Sequence, residues 1–315
     1  MTRIEFGATL PSLKGVAEFA RRAEALGYDY LGCGEHMMFH GPIGNSLIGL
    51  SIAAGATTSI KLMSSVVLLP LYTPMVLAKL TSVLDVASGG RYHMGIGIGG
   101  EFAKEFEAVG IPLGDRGART DEAMAVLRAL WRGGPVSHHG PHFSFDDVEL
   151  RPVAPPRGRR GQPGGPPLLV SGRKPAAMRR AARLGDGWMP YLVSADAYAR
   201  SVATIGAEAE RIGRGLDGFE WAMYLYCSIR RDGDRAREDV AAFLGGAYGD
   251  KPREQLDRIA PAGTPDEVAA RIQAYVDAGV RHVIVSPAAP DDTLEVVELA
   301  VEEVLPQLRM PAVTP

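Results

Sequence analysis

The first candidate for chemistry is a histidine that follows the second predicted strand. Residues 28–34 have the composition of a strand, and Glu35, His36 and His40 come after it along the chain. An imidazole that titrates near neutral pH can pass protons to or from a substrate or cofactor. We therefore expect His36 to be catalytic, with Glu35 and His40 near it.

A strand rich in glycine provides the second candidate. From residue 92 to residue 98, apolar side chains alternate with glycines, so one face of the strand is bare backbone. Glycine within a strand reduces stability, which indicates that another group approaches this backbone closely. The Glu101 carboxylate, just beyond the strand, is our second catalytic candidate because it could meet a cofactor or a substrate.

A short basic turn has the features of an anion-binding site. Ser171, Gly172, Arg173 and Lys174 lie between a predicted strand and the N-terminus of a predicted helix. Unpaired backbone N–H groups and the positive end of the helix dipole attract anions there. Arg173 and Lys174 add positive charge. The turn is therefore predicted to bind an anion.

Three histidines in the sequence HHGPH raise the question of a metal site. His138, His139 and His142 lie in an irregular stretch, where we expect no carboxylate or cysteine to join them. Structural zinc sites combine four such ligands. No metal site is predicted.

These candidates need a scaffold, and the order of the predicted elements supplies one. Eight strands are predicted, each followed by a helix, and apolar runs such as VVLL and HVIV are typical of a buried parallel sheet. Eight such units close as a TIM (β/α)8 barrel, whose active-site groups lie on the loops after the strands. An open doubly wound sheet is the alternative, but no GxGxxG motif follows the first strand. The predicted strands are residues 4–10, 28–34, 60–69, 92–98, 168–170, 187–192, 219–229 and 282–286.

The regular alternation is interrupted once. Residues 133–167 are predicted to form an irregular insertion between the fourth and fifth barrel strands, with a short hairpin and then a partly mobile Pro/Gly-rich loop. Single barrels commonly reach this length, so residues 1–315 are predicted to form one domain. Ser46 is predicted to cap a helix over residues 47–57, and a closing helix is predicted over residues 294–308.

Composition argues against several classes of partner. The 315 residues are 46% hydrophobic and 23% charged, with a formal net charge of -3, which gives no reason to expect nucleic acid or an anionic membrane. No apolar run approaches the length of a membrane span, and the first residues lack a signal peptide's apolar stretch. Cys33 and Cys227 lie far apart, so we expect buried free thiols and a cytoplasmic location.

Several stretches of the sequence resemble one known family. They are LGCGEH, then LDVASGGR, GIGIGG and EFEAVG, then PPLLVSGRKPAAMRRAARLGDGW, and finally AGTPDEVAARIQAYVDAGVRHVIV. These stretches resemble the bacterial-luciferase-like superfamily, whose members are TIM-barrel oxidoreductases that use FMN or the deazaflavin coenzyme F420. The resemblance covers nearly the whole chain.

The resemblance implies roles for particular residues. It implies that the cofactor phosphate binds at residues 171–174 and that an acidic residue and a histidine, here Glu35 and His36, act together at the end of the second strand. It also implies that a cis peptide bond between Ser65 and Val66 forms a bulge against the cofactor ring. It also implies a homodimer. The expected cofactor contacts are Glu35, Ser65, Val66, Gly97, Gly99, Gly100, Ser171, Gly172, Arg173 and Lys174. The expected pocket for an apolar or flat small-molecule substrate comprises Met38, His40, Tyr72, Trp188 and Tyr191.

Two chemistries share this architecture and differ at one cofactor atom. Reduced FMN has a ring nitrogen there and reacts with oxygen, whereas the deazaflavin has carbon there and passes a hydride. The Ser65–Val66 pair and the compact chain resemble the F420 branch, while Glu35 and the extra glycine in GIGGE resemble the other. The first hypothesis is F420-dependent hydride transfer to or from a small organic substrate. The alternatives are an FMN-dependent monooxygenase and a flavin-binding protein that has lost catalysis.

Overall fold

A closed barrel of eight parallel strands forms the protein. The computed structural model describes residues 3–12, 14–39, 43–153, 164–289 and 291–311. The strands are β1 (Glu5–Thr9), β2 (Tyr30–Cys33), β3 (Lys61–Leu68), β4 (Tyr92–Gly97), β5 (Pro135–His139), β6 (Ser144–Glu149), β7 (Leu168–Val170), β8 (Gly187–Trp188), β9 (Glu220–Ile229), β10 (Ala262–Gly263) and β11 (His282–Pro287).

The pairing of these strands confirms the predicted TIM barrel. The order around the barrel is β1, β2, β3, β4, β7, β8, β9 and β11, and β11 pairs with β1 to close the sheet. All of these pairs are parallel. The carboxyl ends of all eight strands therefore lie at one rim, as an active site built from the following loops requires.

Helices surround the barrel. They are α1 (Val16–Ala25), α2 (Ser46–Ala56), α3 (Pro74–Ala87), α4 (Lys104–Ala108), α5 (Arg116–Trp131), α6 (Pro175–Leu184), α7 (Ala195–Arg211), α8 (Gly233–Tyr248), α9 (Arg253–Ile259), α10 (Pro265–Asp277) and α11 (Thr293–Leu299). Among the described residues, no helix has the length and apolar character needed to cross a membrane.

Alternation along each strand separates two apolar layers. On β2, Leu31 joins the large core between the sheet and the helices, whereas Tyr30 belongs to a smaller cluster inside the barrel. The inner cluster takes single residues from several strands, including Met63, Leu169 and Ile284. Because both faces of the sheet are covered, the strands are apolar almost throughout, as is usual for parallel sheets.

The insertion between the fourth and fifth barrel strands contains the predicted hairpin. Strands β5 and β6 pair in antiparallel fashion and lie between α5 and β7 in the chain. The Pro/Gly-rich stretch predicted to be mobile falls largely on residues 154–163, which lie outside the described residues.

Two helix ends differ from prediction. The side chain of Asn45, rather than Ser46, caps α2 by accepting two backbone N–H groups of the first turn. The hydroxyl of Ser46 is instead bonded to Glu35. The closing helix is not continuous, because α11 passes into a π-helical turn at residues 300–304 and then a 3-10 turn that contains Pro306. Proline has no N–H to continue an α-helical ladder.

Candidate active site

A buried carboxylate anchors the loop after β2. Glu35 Oε2 accepts hydrogen bonds from the N–H (3.1 Å) and hydroxyl (2.8 Å) of Ser46 and from Asn45 Nδ2 (3.2 Å). Its Oε1 accepts from the Leu68 N–H at 3.1 Å. Burial raises the pKa of Glu35, and the Ser46 and Leu68 hydrogen bonds oppose that shift. Protein donors bind this carboxylate, so it fixes the loop that carries His36. A contact between Glu35 and a cofactor stays a prediction.

A second buried carboxylate, which sequence alone did not identify, holds His36. Glu105 lies in α4 with no exposed surface, and its two oxygens are 3.1 and 3.2 Å from His36 Nδ1. Glu105 Oε1 also accepts the backbone N–H groups of Met37 (2.6 Å) and Met38 (3.1 Å). A carboxylate at Nδ1 favours the tautomer with hydrogen on that nitrogen, which leaves Nε2 able to accept a proton. The geometry suits proton transfer by His36, and that role stays a prediction.

Glu101, the other catalytic candidate, lies at the same rim. The residue is exposed as a whole, yet partial burial of its carboxyl raises its pKa. The charges of His36 and Arg173 oppose that shift, while the charge of Glu105 adds to it. His36, Glu101 and Arg173 follow β2, β4 and β7 along the chain, so all three lie at the rim formed by the carboxyl ends of the barrel strands. A catalytic role for Glu101 stays a prediction.

The peptide bond between Ser65 and Val66 is cis, as predicted. The pairing of β3 with β4 changes register here. A Cβ atom on Gly95 would lie 2.2 Å from the Ser64 carbonyl oxygen, and one on Gly97 would lie 2.8 Å from Val66 Cγ2. The bare face of β4 is thus filled by the irregular segment of β3. Val66 therefore lies over Gly97, and a contact between Gly97 and a cofactor stays a prediction.

Two further glycines after β4 are also packed by protein. Gly99 has a φ of +60°, and a Cβ there would lie 3.2 Å from the Phe106 ring. Gly100 has a φ of +103°, and a Cβ there would lie 2.9 Å from Arg116 Nε. Both conformations favour glycine. These glycines shape the loop that carries Glu101, and their contact with a cofactor ring stays a prediction.

The turn at residues 171–174 lies at the N-terminus of α6. The Ser171 N–H joins the turn to β4 at 2.7 Å, and the Gly172 carbonyl accepts a hydrogen bond from Trp188 Nε1 at 2.9 Å. The helix begins directly after Lys174, and no side chain of the described residues caps it. Pro175, the first residue of the helix, has no N–H, and the Ala177 N–H bonds to the Lys174 carbonyl at 2.9 Å. The positive end of the helix dipole and the Lys174 side chain are therefore the groups placed to meet an anion. Phosphate binding at this turn stays a prediction.

Arg173 is directed toward the mouth of the barrel. Its guanidinium carbon lies 4.9 Å from the centre of the Tyr191 ring, and its Nη1 donates to the Leu192 carbonyl at 3.3 Å. Its charge acts on Glu101. This placement favours a contact with groups in the mouth over the predicted contact with a phosphate.

The prediction for Trp188 is wrong. This side chain is fully buried and packs against the Tyr198 ring, with centroids 4.9 Å apart, in the layer between sheet and helices. The next residue, Met189, lies inside the barrel, as alternation along a strand requires. Trp188 therefore acts on the site through its bond to Gly172 rather than as a pocket wall.

The other predicted pocket residues have different positions. Tyr191 lies at the mouth beside Arg173. Met38 is exposed on the loop after β2, and the Tyr72 hydroxyl accepts from Asn45 Nδ2 at 2.8 Å, beneath that loop. His40 lies outside the described residues. Substrate contacts for these four residues stay predictions.

The Ser65 hydroxyl indicates where a cofactor could be held. Its Oγ is buried and has no hydrogen-bond partner among the described residues. A buried hydroxyl without a partner costs about 1–3 kcal/mol, which a bound polar group would offset. The site is next to the loop of His36, because a Cβ on Gly34 would lie 3.2 Å from the Ser65 carbonyl oxygen. A flavin-type ring edge, which carries donors and acceptors, fits this position.

The histidines of HHGPH have a carboxylate partner after all. His138 Nε2 lies 2.9 Å from Glu122 Oε1, and Glu122 also accepts the backbone N–H groups of His142 and Phe143. This contact ties the hairpin to α5, since Glu122 is in that helix. The described residues contain no group of three or more His, Cys, Asp or Glu side chains arranged for a metal ion.

Comparison with known proteins identifies relatives over nearly the full length. The family model described as luciferase-like monooxygenase matches residues 2–282. A curated relative, the F420-dependent glucose-6-phosphate dehydrogenase of Nakamurella multipartita, is 26% identical, and the match covers 93% of this chain and 92% of that protein.

Solved structures share the fold. An F420-dependent secondary alcohol dehydrogenase in complex with an F420–acetone adduct has a TM-score of 0.84 at 21% identity, covering 98% of this chain and 100% of that one. The FMN complex of the oxygenating constituent of 3,6-diketocamphane monooxygenase from Pseudomonas putida has a TM-score of 0.77 at 21% identity, covering 98% and 99%. At such identities these likenesses concern the fold alone. The family model carries the assignment further: this chain belongs to the luciferase-like monooxygenase family.

Proposed function

We propose that this protein is an oxidoreductase that transfers a hydride between coenzyme F420 and a small organic substrate. The observation that carries the proposal is the buried contact between Glu105 and His36, which fixes an imidazole at the barrel mouth beside the Ser65–Val66 bulge. The F420-dependent dehydrogenases among its relatives and structural neighbours support the same choice of cofactor.

The cofactor would be held at both of its ends. The N-terminus of α6, with Ser171, Gly172 and Lys174, suits its phosphate. The Ser65–Val66 bulge suits its ring, and the buried Ser65 hydroxyl supplies a polar partner. When bound, the deazaflavin supplies a two-electron carrier that donates or accepts a hydride.

The protein supplies orientation and a proton path. Glu105 holds Nδ1 of His36, so Nε2 can take the hydroxyl proton of an alcohol during oxidation or return it to a carbonyl oxygen during reduction. Glu35 fixes the loop from the other side through Ser46 and Leu68. General acid–base catalysis of this kind contributes about 10²–10⁴ in rate.

A second candidate function is an FMN-dependent monooxygenase. Its support is the FMN-bound neighbour with a TM-score of 0.77. The two functions are separated by titrating the purified protein with F420 and with FMN and by measuring oxygen consumption. Tight binding of FMN with oxygen consumption, and no affinity for F420, would contradict the first proposal.

We also propose a homodimer of single-domain chains comprising residues 1–315. The support is an apolar patch on α2 and α3, formed by Ile48, Ile52, Val76, Leu80 and Val83, all exposed. Helix α2 contains no charged residue, and contiguous apolar surface of this kind is typical of protein interfaces. A cytoplasmic location is proposed from the two free cysteines, which are buried.

A further inference from the structure

One side of the barrel mouth is covered by aromatic rings in contact, a feature we term the aromatic wall. Tyr248, at the end of α8, is at its centre. The Tyr248 ring centroid lies 5.8 Å from that of Tyr226 and 6.2 Å from that of Tyr191. It lies 6.3 Å from that of Phe39. The wall consists of Phe39, Tyr191, Tyr224, Tyr226, Phe243 and Tyr248.

The wall extends from the candidate catalytic histidine to the inside of the barrel. At one end, the Phe39 ring stacks on His36 with centroids 4.2 Å apart and an interplanar angle of 18°. At the other end, Tyr224 lies 5.2 Å from Tyr226 and packs on the inner cluster, which Val66 also contacts. The rings therefore connect the proposed proton-transfer group with the proposed ring site.

The rings present apolar faces rather than hydrogen-bond donors. Each of the six residues is partly exposed. The hydroxyls of Tyr226 and Tyr248 bond to each other at 2.7 Å, and that of Tyr224 donates to Ser286 at 2.8 Å. The bond between Tyr226 and Tyr248 uses one of their two O–H protons, and the Tyr224 proton is donated to Ser286, so a molecule in the mouth meets mainly ring faces and edges. Such surfaces favour offset stacking or edge-to-face contact with another ring.

A sugar phosphate needs a different surface. Polyhydroxylated and charged ligands require several convergent donors and cations, because polar groups that lose water without new partners weaken binding. Two cations lie against the wall, and both already have protein partners. Arg173 is placed over the Tyr191 ring and donates to the Leu192 carbonyl. Lys251 Nζ lies 5.9 Å from the centre of the Tyr248 ring and donates to the Tyr248 and Gly249 carbonyls. A guanidinium group is planar, so on an aromatic face it extends the flat surface on which another ring can stack.

We propose that the aromatic wall selects a planar aryl alcohol or aryl ketone whose ring stacks against Tyr248 and Phe39. This inference rests on the proposed function for the reaction, and on the wall for the choice of substrate. The His36 imidazole covers one face of Phe39, so a substrate ring that stacks on Tyr248 and meets the edge of Phe39 would bring its carbinol or carbonyl carbon to the edge of that imidazole.

The test compares ligands of the same heavy-atom count, one with a planar aromatic ring and one with a saturated ring. Acetophenone and cyclohexyl methyl ketone have the same number of heavy atoms, and their dissociation constants would be measured by equilibrium dialysis, with and without saturating F420. We expect the planar ketone to bind about tenfold more tightly, as one or two aromatic contacts allow. With F420 present, 1-phenylethanol should exceed 1-cyclohexylethanol in kcat/KM by a similar factor, and glucose 6-phosphate should not be oxidised.

Matched variants locate the effect. Tyr248→Leu keeps an apolar side chain but removes the ring, so the planar preference should disappear, while Tyr248→Phe should retain it. Phe39→Leu gives a second ring deletion if the first variant folds poorly. Phe145→Leu, on the hairpin strand β6, removes a partly buried ring outside the wall and should leave the preference unchanged.

The outcomes separate this inference from the proposed function. Equal affinity for the two ketones, or a preference that survives in both Tyr248→Leu and Phe39→Leu, overturns the inference. A planar preference in binding without any F420 turnover supports the wall and contradicts the proposed reaction. Turnover with F420 at equal kcat/KM for 1-phenylethanol and 1-cyclohexylethanol supports the reaction and contradicts the proposed role of the wall.

Discussion

The Nδ1 atom of His36 lies 3.1 Å from Oε2 of Glu105, a carboxylate with no exposed surface. Glu105 is expected to act through His36. Replacing it by glutamine should lower kcat about 10- to 100-fold, the usual effect of losing a partner that orients an imidazole. The affinity for F420 should not change, because Glu105 is not part of the proposed cofactor site. Steady-state kinetics and cofactor titration measure the two quantities separately.

A variant that carries both Glu105→Gln and His36→Asn shows whether Glu105 positions His36 or has a general structural role. His36→Asn should lower kcat about 10²–10⁴-fold. If Glu105 acts only through His36, the double variant should be no slower than His36→Asn, because residues that work as a unit are not additive. Multiplied losses would contradict this account. Glu107→Gln, an exposed carboxylate of the same helix, is the control and should keep wild-type kcat.

Lys174 is predicted to bind the cofactor phosphate. Replacement by alanine should weaken F420 binding about 10- to 100-fold, the value of one charge-assisted hydrogen bond of about 1.5–3 kcal/mol. The affinity for the deazaflavin riboside without phosphate should not change. Fluorescence titration with both ligands measures this, and Lys79→Ala, in α3, is the control. Equal loss of affinity for both ligands would place the phosphate elsewhere.

The position of the Val66 side chain is predicted to require a glycine at residue 97. A Cβ on Gly97 would lie 2.8 Å from Val66 Cγ2, so Gly97→Ala should lower the free energy of unfolding by about 1–3 kcal/mol through overpacking. Adding Val66→Ala removes the clashing methyl groups. Urea denaturation of the double variant should therefore show less destabilisation than the sum of the single variants. Strict additivity would show that the two side chains do not compete for space.

The sequence alone predicts where the strands of this site end, but it does not predict which side chains meet there. The bounds of β7 are those predicted, and His36, Glu101 and the turn at residues 171–174 do meet at one rim, because a βα pattern fixes where strands end. The sequence could not show which nearby carboxylate contacts His36. Glu101 and Glu105 lie four residues apart in EFAKE, and only the path of α4 turns the second one onto His36.

Side-chain direction was the other limit. Trp188 belongs to a strand of two residues, too short for periodicity to tell its inner face from its outer face. Tyr224 and Tyr226 are two residues apart on β9, so strand periodicity alone predicts that their side chains lie on the same face. Tyr248 reaches them from the far end of α8, a tertiary contact without a local pattern.

Glu24 is predicted to make the free energy of unfolding depend on pH. Burial alone would raise its pKa, but the N–H groups of Ile60, Ser59 and Thr58 outweigh it and lower the pKa to about 2. A carboxyl of depressed pKa stabilises the fold above its unfolded pKa of about 4.3, and that stabilisation is lost as pH falls. Glu24→Gln should therefore be less stable than wild type at pH 7. The difference should shrink between about pH 5 and pH 2, as measured by urea denaturation at each pH. A difference that stays constant over this range would contradict the assignment.

The apolar patch on α2 and α3 predicts the oligomeric state. Leu80→Asp places a charge at the centre of the proposed interface, where an unpaired buried charge is strongly unfavourable. We expect wild type to elute as a dimer and the variant as a monomer in size-exclusion chromatography with light scattering. Ile212→Asp, at an exposed apolar residue outside the patch, is the control. A monomeric wild-type protein would contradict the proposal.

The most direct test of the central claim is a paired anaerobic titration of the purified protein with F420 and with FMN, followed by addition of 1-phenylethanol. The account predicts that F420 binds at least about tenfold more tightly than FMN. It also predicts that the visible absorbance of bound F420 falls as the alcohol is oxidised, and that this fall is about 10²–10⁴-fold slower in His36→Asn. Tight binding of FMN with no binding of F420, and oxygen consumption once air is admitted to the reduced complex, would contradict it.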